Sequence, residues 1–278
     1  MSDLDVLTVN PNQALWQKGD FTRIAETMRD SGQRLVAKLG ITPGLKLLDL
    51  GSGDGTTALP AARLGADVLG VDIAENLVAA GNARAIAAGL ASLRFEQGDA
   101  SNLANLADGR FDLVVSIFGA MFAPRPFDTA REMVRVTRPG GRIVMGNWIP
   151  GDPTLVAQIL KISAAYTPPP PAGFVSPMSW GDEDQVRQRF EAAGIRSDNI
   201  RFERAIWFFR HRGPPSELLA IFRFFYGPTM TAFDAAAKDG RDAELAAELE
   251  ALFAASNRGG SEHTEIPATF LKVTVTKG

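Results

Sequence analysis

The sequence predicts an α/β protein whose sheet is mostly parallel and covered by helices on both faces. Between residues 45 and 150, short apolar runs typical of buried strands alternate with segments of helical periodicity. Such alternation is typical of strand–helix–strand units, which build a doubly wound parallel sheet. A glycine-rich turn at residues 51–55 follows the first apolar run, and ligands of such sheets bind beyond the carboxyl ends of the strands.

The elements of this region are short and closely spaced. Strands are predicted at residues 45–50, 67–71, 93–96, 111–117 and 142–148, and helices at 56–64, 74–88 and 128–136. Pro60 is compatible with the first of these helices if it lies in or near the first turn, where its missing N–H is not needed. A longer helix is predicted ahead of them, over residues 20–39, because its apolar residues recur at helical spacing.

The spacing of elements is looser beyond residue 150. Helices are predicted at residues 154–165, 184–193, 216–226 and 243–255, and strands at 199–209 and 269–275. No linker long enough to split the protein is visible. We therefore expect residues 151–278 to complete the sheet of residues 45–150 within the same domain, with a helical insertion at about 211–266. Residues 1–44 precede this core.

The composition excludes several kinds of chemistry. The 278 residues include no cysteine, which removes disulfides, thiolate metal sites and cysteine nucleophiles. His211 and His263 are too few for a histidine-rich metal site. The net charge of −3 disfavours a dedicated nucleic-acid or membrane-surface binder, which needs a concentrated basic patch. We therefore expect neither a bound metal nor a nucleic-acid partner.

Two features of the sequence bear on location. The first ten residues, MSDLDVLTVN, lack the basic and apolar regions of a signal peptide. The longest apolar run, at residues 113–123, has about half of the ~20 residues that a membrane-spanning helix needs. These features predict a cytoplasmic protein that does not insert into membranes.

Glycines and acids are concentrated at the turn after the first strand. The segment LLDLGSGDG, residues 47–55, leaves an apolar run and enters a helix. Glycine permits unusual backbone angles and the close approach of a ligand. The dinucleotide fingerprint would need a glycine at position 56, which is Thr56 here. Asp49 and Asp54 would oppose a pyrophosphate at the start of the helix, so this turn is better suited to a cationic ligand.

Acids also follow the second and third strands. Asp72 ends the second strand, 23 residues after Asp49, where a carboxylate can accept hydrogen bonds from both ribose hydroxyls. Asp99 follows the third strand, where it can accept a hydrogen bond from an exocyclic amine. Asp112 stands at the approach to the fourth strand, and we interpret it as a capping or turn residue.

The motifs LLDLGSGDG, GVD, GDA, FDLVVS and RVTRPGGRI occur in this order. This series resembles the motif set of the class I S-adenosylmethionine-dependent methyltransferases, in particular the small-molecule group that includes the ubiquinone and menaquinone biosynthesis enzymes. The resemblance covers residues 16–150 well and the remainder in outline. It implies a Rossmann-like, doubly wound, mostly parallel seven-stranded sheet, an N-terminal helical lid within residues 1–44, and a helical insertion between the last two strands.

The resemblance implies S-adenosylmethionine as cofactor and roles for residues at the first and fourth strands. Asp49 would counter the ammonium of the methionine part, directly or through water. The glycine turn, Gly51, Ser52 and Gly53, would face the same part of the cofactor. The backbone of Ser116 would meet the methionine end from the fourth strand.

The nucleoside part of the cofactor would be held by the next strands, again as the resemblance implies. Asp72 would hold the ribose, and Ile73 would pack on the adenine face. Asp99 would accept a hydrogen bond from the adenine amine, and the Ala100 N–H would reach a ring nitrogen. Trp16 resembles a lid residue that covers the sulfonium by a cation–π contact. An equally good interpretation of Trp16 is a hydrophobic staple before the helix at 20–39.

Methyl transfer from a sulfonium is an in-line displacement, which needs alignment and exclusion of water more than acid–base groups. Members of the family often carry polar residues or histidine after the fourth strand, whereas this sequence has IFGAMF at 117–122. Phe222, Phe224, Phe225, Tyr226 and Phe233 crowd the insertion, and Phe174 and Trp180 lie upstream. These residues predict a small, apolar or aromatic methyl acceptor.

A general base is not identified by the sequence, and the catalytic residues are unknown. His211 and Tyr226 are weak candidates, with Tyr166 as a further one, and His211 is better explained as a surface residue between two arginines. An alternative is a catalytically inactive protein of the same fold that binds S-adenosylmethionine or has a regulatory role. A small-molecule acceptor is the expected partner, and homo-oligomerisation is left open.

Overall fold

A computed structural model describes residues 12–278, and the statements below concern these residues. Seven strands form one sheet in the order β3-β2-β1-β4-β5-β7-β6. The strands are β1 Lys46–Leu50, β2 Asp67–Asp72, β3 Leu93–Gln97, β4 Phe111–Ile117, β5 Thr137–Trp148, β6 Ile200–Arg212 and β7 His263–Thr276. The predicted seven-stranded, mostly parallel architecture is confirmed.

The first five strands pair in parallel, and β7 runs antiparallel between β5 and β6. The strand order reverses between β1 and β4, since β2 and β3 lie on one side of β1 while β4 and β5 lie on the other. Loops that leave neighbouring strands on opposite sides of such a switch point separate and open a crevice. The glycine turn after β1 and the loop after β4 lie at this point.

Eleven α-helices occur in the described part of the chain. They are α1 Asn12–Gln17, α2 Phe21–Glu26, α3 Arg29–Val36, α4 Ala58–Arg63, α5 Glu75–Ala87, α6 Pro126–Val136, α7 Leu155–Ala164, α8 Glu183–Ala192, α9 Pro215–Phe225, α10 Gly227–Lys238 and α11 Asp242–Ser256. The last three form an insertion between β6 and β7, as predicted. Pro60 is the third residue of α4, within the first turn, where proline is tolerated.

The structure departs from the predicted elements in several places, and the fifth strand, for example, begins at Thr137 rather than at residue 142. The helix expected over residues 20–39 is two helices, because the chain leaves α2 at Thr27 and restarts α3 after Met28. The helix α10 is absent from the prediction because Gly227 and Pro228 indicate a turn, although proline also suits the first turn of a helix. The last strand begins at His263 rather than at residue 269, because pairing with β6 extends it.

Side chains on the two faces of the sheet enter different clusters, because neighbouring residues of a strand point in opposite directions. Leu47 packs in a cluster that contains Ala61 of α4. Leu48 belongs to the larger cluster, which contains Met133 of α6. Both strand residues are fully buried. This burial on two faces holds the carboxyl end of β1 in a rigid position beneath the crevice.

The N-terminal helices attach to the far edge of the sheet. The hydroxyl of Ser31 accepts a hydrogen bond from the Phe208 N–H and donates one to the Phe208 carbonyl. The Arg210 N–H donates to the carbonyl of Thr27 at 2.8 Å. These bonds cover one end of the edge strand β6 and bring α2 and α3 next to the crevice. None of the described helices is long and apolar enough to cross a bilayer.

Candidate cofactor and acceptor site

A cleft with an empty volume of about 910 Å³ lies at the carboxyl ends of β1, β2 and β4. Leu50 and the glycine turn form one wall, Asp72 and Ile73 a second, and the loop from Ile117 a third. The N-terminal helices contribute Trp16 and the neighbouring Phe21. The cleft is therefore built from the switch point of the sheet and covered by the first helices.

The glycine turn has a backbone that only glycine adopts easily. Gly51, Gly53 and Gly55 have φ angles of 67°, 54° and 92°. The N–H groups of Gly51 and Ser52 both donate to the carbonyl of Val71, at 2.7 and 3.1 Å. A Cβ placed on Gly119 would lie 2.6 Å from the Gly51 Cα. The turns after β1 and β4 therefore meet backbone to backbone.

Asp72 lies at the end of β2 with its carboxylate in the wall of the cleft. Its two oxygens accept hydrogen bonds from the N–H groups of Gly53 and Ala74, at 2.8 and 2.9 Å. Burial raises the pKa of Asp72 above its ordinary value, and these N–H groups partly oppose that shift. Each oxygen keeps a second lone pair, so the carboxylate can also accept hydrogen bonds from ligand hydroxyls.

Asp49 is buried behind the cleft and is not among the side chains that line it. The Thr57 hydroxyl donates to one carboxylate oxygen, while the other oxygen has no hydrogen-bond partner within residues 12–278. Burial raises the pKa of Asp49 to about 7, against the opposing hydrogen bond from Thr57. A cation brought close to this carboxyl would favour its ionised form.

The other acid of the glycine turn, Asp54, is neutralised within the protein. Arg29 donates to both of its carboxylate oxygens and also to the Thr56 hydroxyl, at 2.6 Å. Arg84 lies 3.3 Å from the same carboxylate. These contacts connect the glycine turn to α3 and α5, so Asp54 holds the turn in place rather than offering a free charge.

A second, smaller pocket that is partly open to solvent adjoins the cleft, and we call it the aromatic chamber. It is lined by Trp16, Phe21, Ile24, Met28, Phe118, Phe122, Trp148, Val156, Phe209, Phe222 and Tyr226. Five of these residues, Trp16, Phe21, Met28, Phe118 and Phe122, also line the cleft. The two cavities therefore share a wall, and no lining side chain of the chamber carries a formal charge.

Comparison with known proteins shows which family the chain belongs to. A model described as "Methyltransferase domain" matches residues 48–145. An uncharacterised protein of Mycobacterium tuberculosis is 37% identical over 223 residues, which cover 80% of this chain and 79% of that protein. A demethylmenaquinone methyltransferase of Beutenbergia cavernae is 40% identical over 110 residues, which cover 40% of this chain and 43% of that enzyme. The chain belongs to the class I S-adenosylmethionine-dependent methyltransferases.

Solved structures agree with the family at the level of the fold. YcgJ of Bacillus subtilis matches with a TM-score of 0.56 at 17% identity, over 89% of this chain and 98% of that one. A phosphoethanolamine N-methyltransferase of Haemonchus contortus, solved with S-adenosylhomocysteine, matches with a TM-score of 0.56 at 16% identity, over 89% of this chain and 52% of that one. These structures support the fold alone, and the methyltransferase domain at residues 48–145 identifies the chain as an enzyme whose cofactor is S-adenosylmethionine.

Seven of the ten residues predicted to bind the cofactor line the methyltransferase's cleft. They are Trp16, Gly51, Ser52, Gly53, Asp72, Ile73 and Ala100. Asp49, Asp99 and Ser116 lie outside the lining. Asp99 accepts hydrogen bonds from the N–H and hydroxyl of Ser101, at 2.8 and 2.6 Å. The direct contacts of all ten residues with the cofactor stay predictions.

Ser116 instead joins the two turns of the methyltransferase. Its hydroxyl donates to the Leu50 carbonyl at 2.6 Å and accepts from the Ala120 N–H at 2.8 Å. The serine side chain therefore fixes the loop after β4 to the end of β1.

The candidate bases are far from equivalent in the methyltransferase. Tyr226 lines the aromatic chamber, whereas His211 and Tyr166 line neither cavity. The His211 ring is 3.0 Å from the carboxylate of Glu217, and the Tyr166 hydroxyl donates to Glu248. The structure thus brings only Tyr226 of the three to the site. In the described residues, no group of three or more His, Asp or Glu side chains could hold a metal ion.

Several lining residues were not predicted for this methyltransferase. Trp148 lies in the strand predicted at 142–148, and Trp207 and Phe209 lie in the strand predicted at 199–209. All three nevertheless line a cavity. The apolar loop after β4 was the available signal for Phe118. Of the aromatic residues expected to cover the acceptor, Phe222 and Tyr226 line the chamber. Phe174 is exposed, and Trp180 is buried against Phe190, away from both cavities.

Proposed function

We propose that this enzyme transfers the methyl group of S-adenosylmethionine by in-line displacement to a small, apolar or aromatic acceptor held in the aromatic chamber. The observation that carries the proposal is the wall shared by the cofactor cleft and the chamber. A molecule in the chamber would lie next to a cofactor in the cleft, since five side chains line both. Such placement is the main contribution that proximity makes to catalysis.

The residues of the cleft suit S-adenosylmethionine. The unpartnered oxygen of Asp49 is a buried acceptor that favours a nearby ammonium, and the glycine turn leaves room for a ligand close to the backbone. Asp72 would hold the ribose through its remaining lone pairs, with Ile73 and Ala100 beside the adenine. Trp16 covers the cleft from α1, where its indole face would favour a cationic sulfonium.

The cofactor supplies a methyl group activated by its positive sulfur, and the carbon–sulfur electron pair returns to the sulfur as the acceptor's lone pair forms the new bond. The protein's part is to align the acceptor and exclude water. The apolar chamber wall serves both purposes. Since no carboxylate, histidine or lysine lines the chamber among the described residues, we assign no general base to its wall.

The chain's segments divide the work in this proposal. Residues 45–150 bind the cofactor, residues 151–278 complete the sheet and shape the chamber, and the N-terminal segment covers both. Of that segment, residues 1–11 lie outside the described part. A non-catalytic binding protein is less well supported, because it would not need a second cavity beside the donor. A cytoplasmic location stays a prediction of the sequence, homo-oligomerisation stays open, and no nucleic-acid partner is proposed.

Calorimetry with S-adenosylmethionine tests the cofactor site. We expect micromolar binding to the wild-type protein and its loss in Asp72→Ala. Asp112→Ala is the matched control, because Asp112 pairs with Arg138 at the opposite end of β4 and should leave the affinity unchanged. A labelled-methyl screen of phenols, quinols, amines and small acids then tests the reaction. Absence of binding to wild-type protein would refute the proposal.

A further inference from the structure

The aromatic chamber has very few polar side-chain groups, and each of them can donate a hydrogen bond. Its lining offers the phenol of Tyr226 and the indole N–H groups of Trp16 and Trp148. The other eight lining residues are aliphatic, aromatic or methionine. A molecule that fits this wall must be largely apolar, and an acceptor atom on it has three donors to meet, whereas a donor on it has only the phenol oxygen.

Tyr226 carries the one side-chain hydroxyl among the residues that line this chamber. It is 6% exposed, and its hydroxyl has no hydrogen-bond partner within residues 12–278. Burial alone raises the pKa of Tyr226 above its ordinary value, so the phenol keeps its proton at physiological pH. Its oxygen is not among the fully sealed polar atoms of the described residues, so a water molecule or a ligand can reach it and supply the partner.

The ring of Tyr226 is held firmly, which gives its hydroxyl a fixed direction. Its centroid lies 5.4 Å from that of Phe222, 6.0 Å from Trp16 and 6.2 Å from Phe21. The residue stands at the junction of α9 and α10, where its N–H donates to the Phe222 carbonyl at 3.1 Å. The neighbouring rings thus restrict the phenol to the chamber wall.

We propose that Tyr226 is a binding and specificity residue that donates a hydrogen bond to an oxygen or nitrogen acceptor atom of an uncharged, otherwise apolar substrate. This inference rests on the proposed function, since it assigns the chamber to the methyl acceptor. It also gives Tyr226 a role other than that of a general base. A cationic substrate is disfavoured, because the chamber has no carboxylate to pair with a desolvated ammonium.

Ligand-observed NMR with three matched probes tests the inference on the protein saturated with S-adenosylhomocysteine. The probes are p-xylene, p-cresol and 4-methylbenzylammonium, which place a methyl, a hydroxyl or an ammonium on the same ring. We expect p-cresol to bind about 3- to 10-fold more tightly than p-xylene, the effect of one net hydrogen bond. In Tyr226→Phe this preference should disappear, while the affinity for p-xylene stays the same.

Two further measurements separate binding from structure. Tyr226→Phe should unfold at about the same temperature as wild type, because no protein group within residues 12–278 pairs with the hydroxyl. Tyr166→Phe, which loses the bond to Glu248 far from both cavities, should keep the preference for p-cresol. Equal binding of p-cresol and p-xylene to wild-type protein, or tighter binding of the ammonium, would overturn the inference. Failure of S-adenosylhomocysteine to bind would instead count against the proposed function.

Discussion

Phe118 keeps a left-handed backbone, with a φ of 62°, while its ring stacks on the indole of Trp148 at a centroid distance of 3.7 Å and an interplanar angle of 6°. This conformation costs an L-residue roughly 1–2 kcal/mol. It turns the ring toward the wall that the cleft and the chamber share. The stacking and burial of the ring offset the backbone cost.

At Phe118 the glycine variant should therefore be more stable than the alanine variant, which reverses the usual order of stability. Both should lose the ring and about 3–5 kcal/mol of stability. Phe118→Ala also keeps the strained backbone, so we expect Phe118→Gly to be the more stable by about 1 kcal/mol in urea unfolding. At Phe209, within β6, alanine should be more stable than glycine. An alanine variant at 118 as stable as the glycine variant would contradict this account.

Gly119→Ala should weaken cofactor binding without straining its own backbone. Its φ of −93° is ordinary, but the added Cβ would lie 2.6 Å from the Gly51 Cα. One of the two turns must move, and overpacking of this kind costs about 1–3 kcal/mol. We expect affinity for S-adenosylmethionine to fall about tenfold by calorimetry. Gly89→Ala, at a positive φ in open space, should leave the affinity unchanged.

The stability of the cofactor-free protein should fall as pH rises. Burial raises the pKa of Asp49 from an ordinary 3.8 to about 7, and it raises that of Asp72 as well. Between these two pKa values of Asp49, the folded protein retains protons that the unfolded chain has released. The contribution to stability is thus fully present below the unfolded pKa and is lost as pH passes the folded value.

Asp49→Asn isolates this effect, because the amide does not titrate while Asp72 is present in both proteins. Thermal unfolding between pH 5 and pH 8 should show a smaller decline for Asp49→Asn than for wild type. Parallel curves for the two proteins would show that Asp49 does not carry the shift.

The contacts around Asp54 should be much stronger than a surface ion pair. Asp54 is 2% exposed, and Arg29 donates to both of its oxygens. Arg29→Met should cost about 2–3 kcal/mol, because it leaves a buried carboxylate with only Arg84 nearby. A double-mutant cycle with Asp54→Asn should give a clear coupling energy. The pair of Lys272 with the exposed Glu203 should couple by less than about 1 kcal/mol.

The sequence alone determined the order of strands and helices in residues 45–150 and the position of the cofactor turn. Apolar runs and helical periodicity are local signals. Gly51 and Gly53 indicate a turn whose positive φ angles favour glycine. The position of Asp72 follows from the same logic, since a residue that ends a parallel strand must lie at the crevice. Seven predicted cofactor positions accordingly line the cleft.

Only the tertiary structure decided where the acceptor chamber lies and which aromatic residues form it. Trp16, Phe118, Trp148 and Tyr226 come from four distant segments, and no spacing in the sequence relates them. Packing also turned Asp99 toward Ser101 and Trp180 toward Phe190, away from the cavities. The direction of a side chain depends on which neighbours bury it, and those neighbours are chosen when the sheet, the first helices and the insertion pack together.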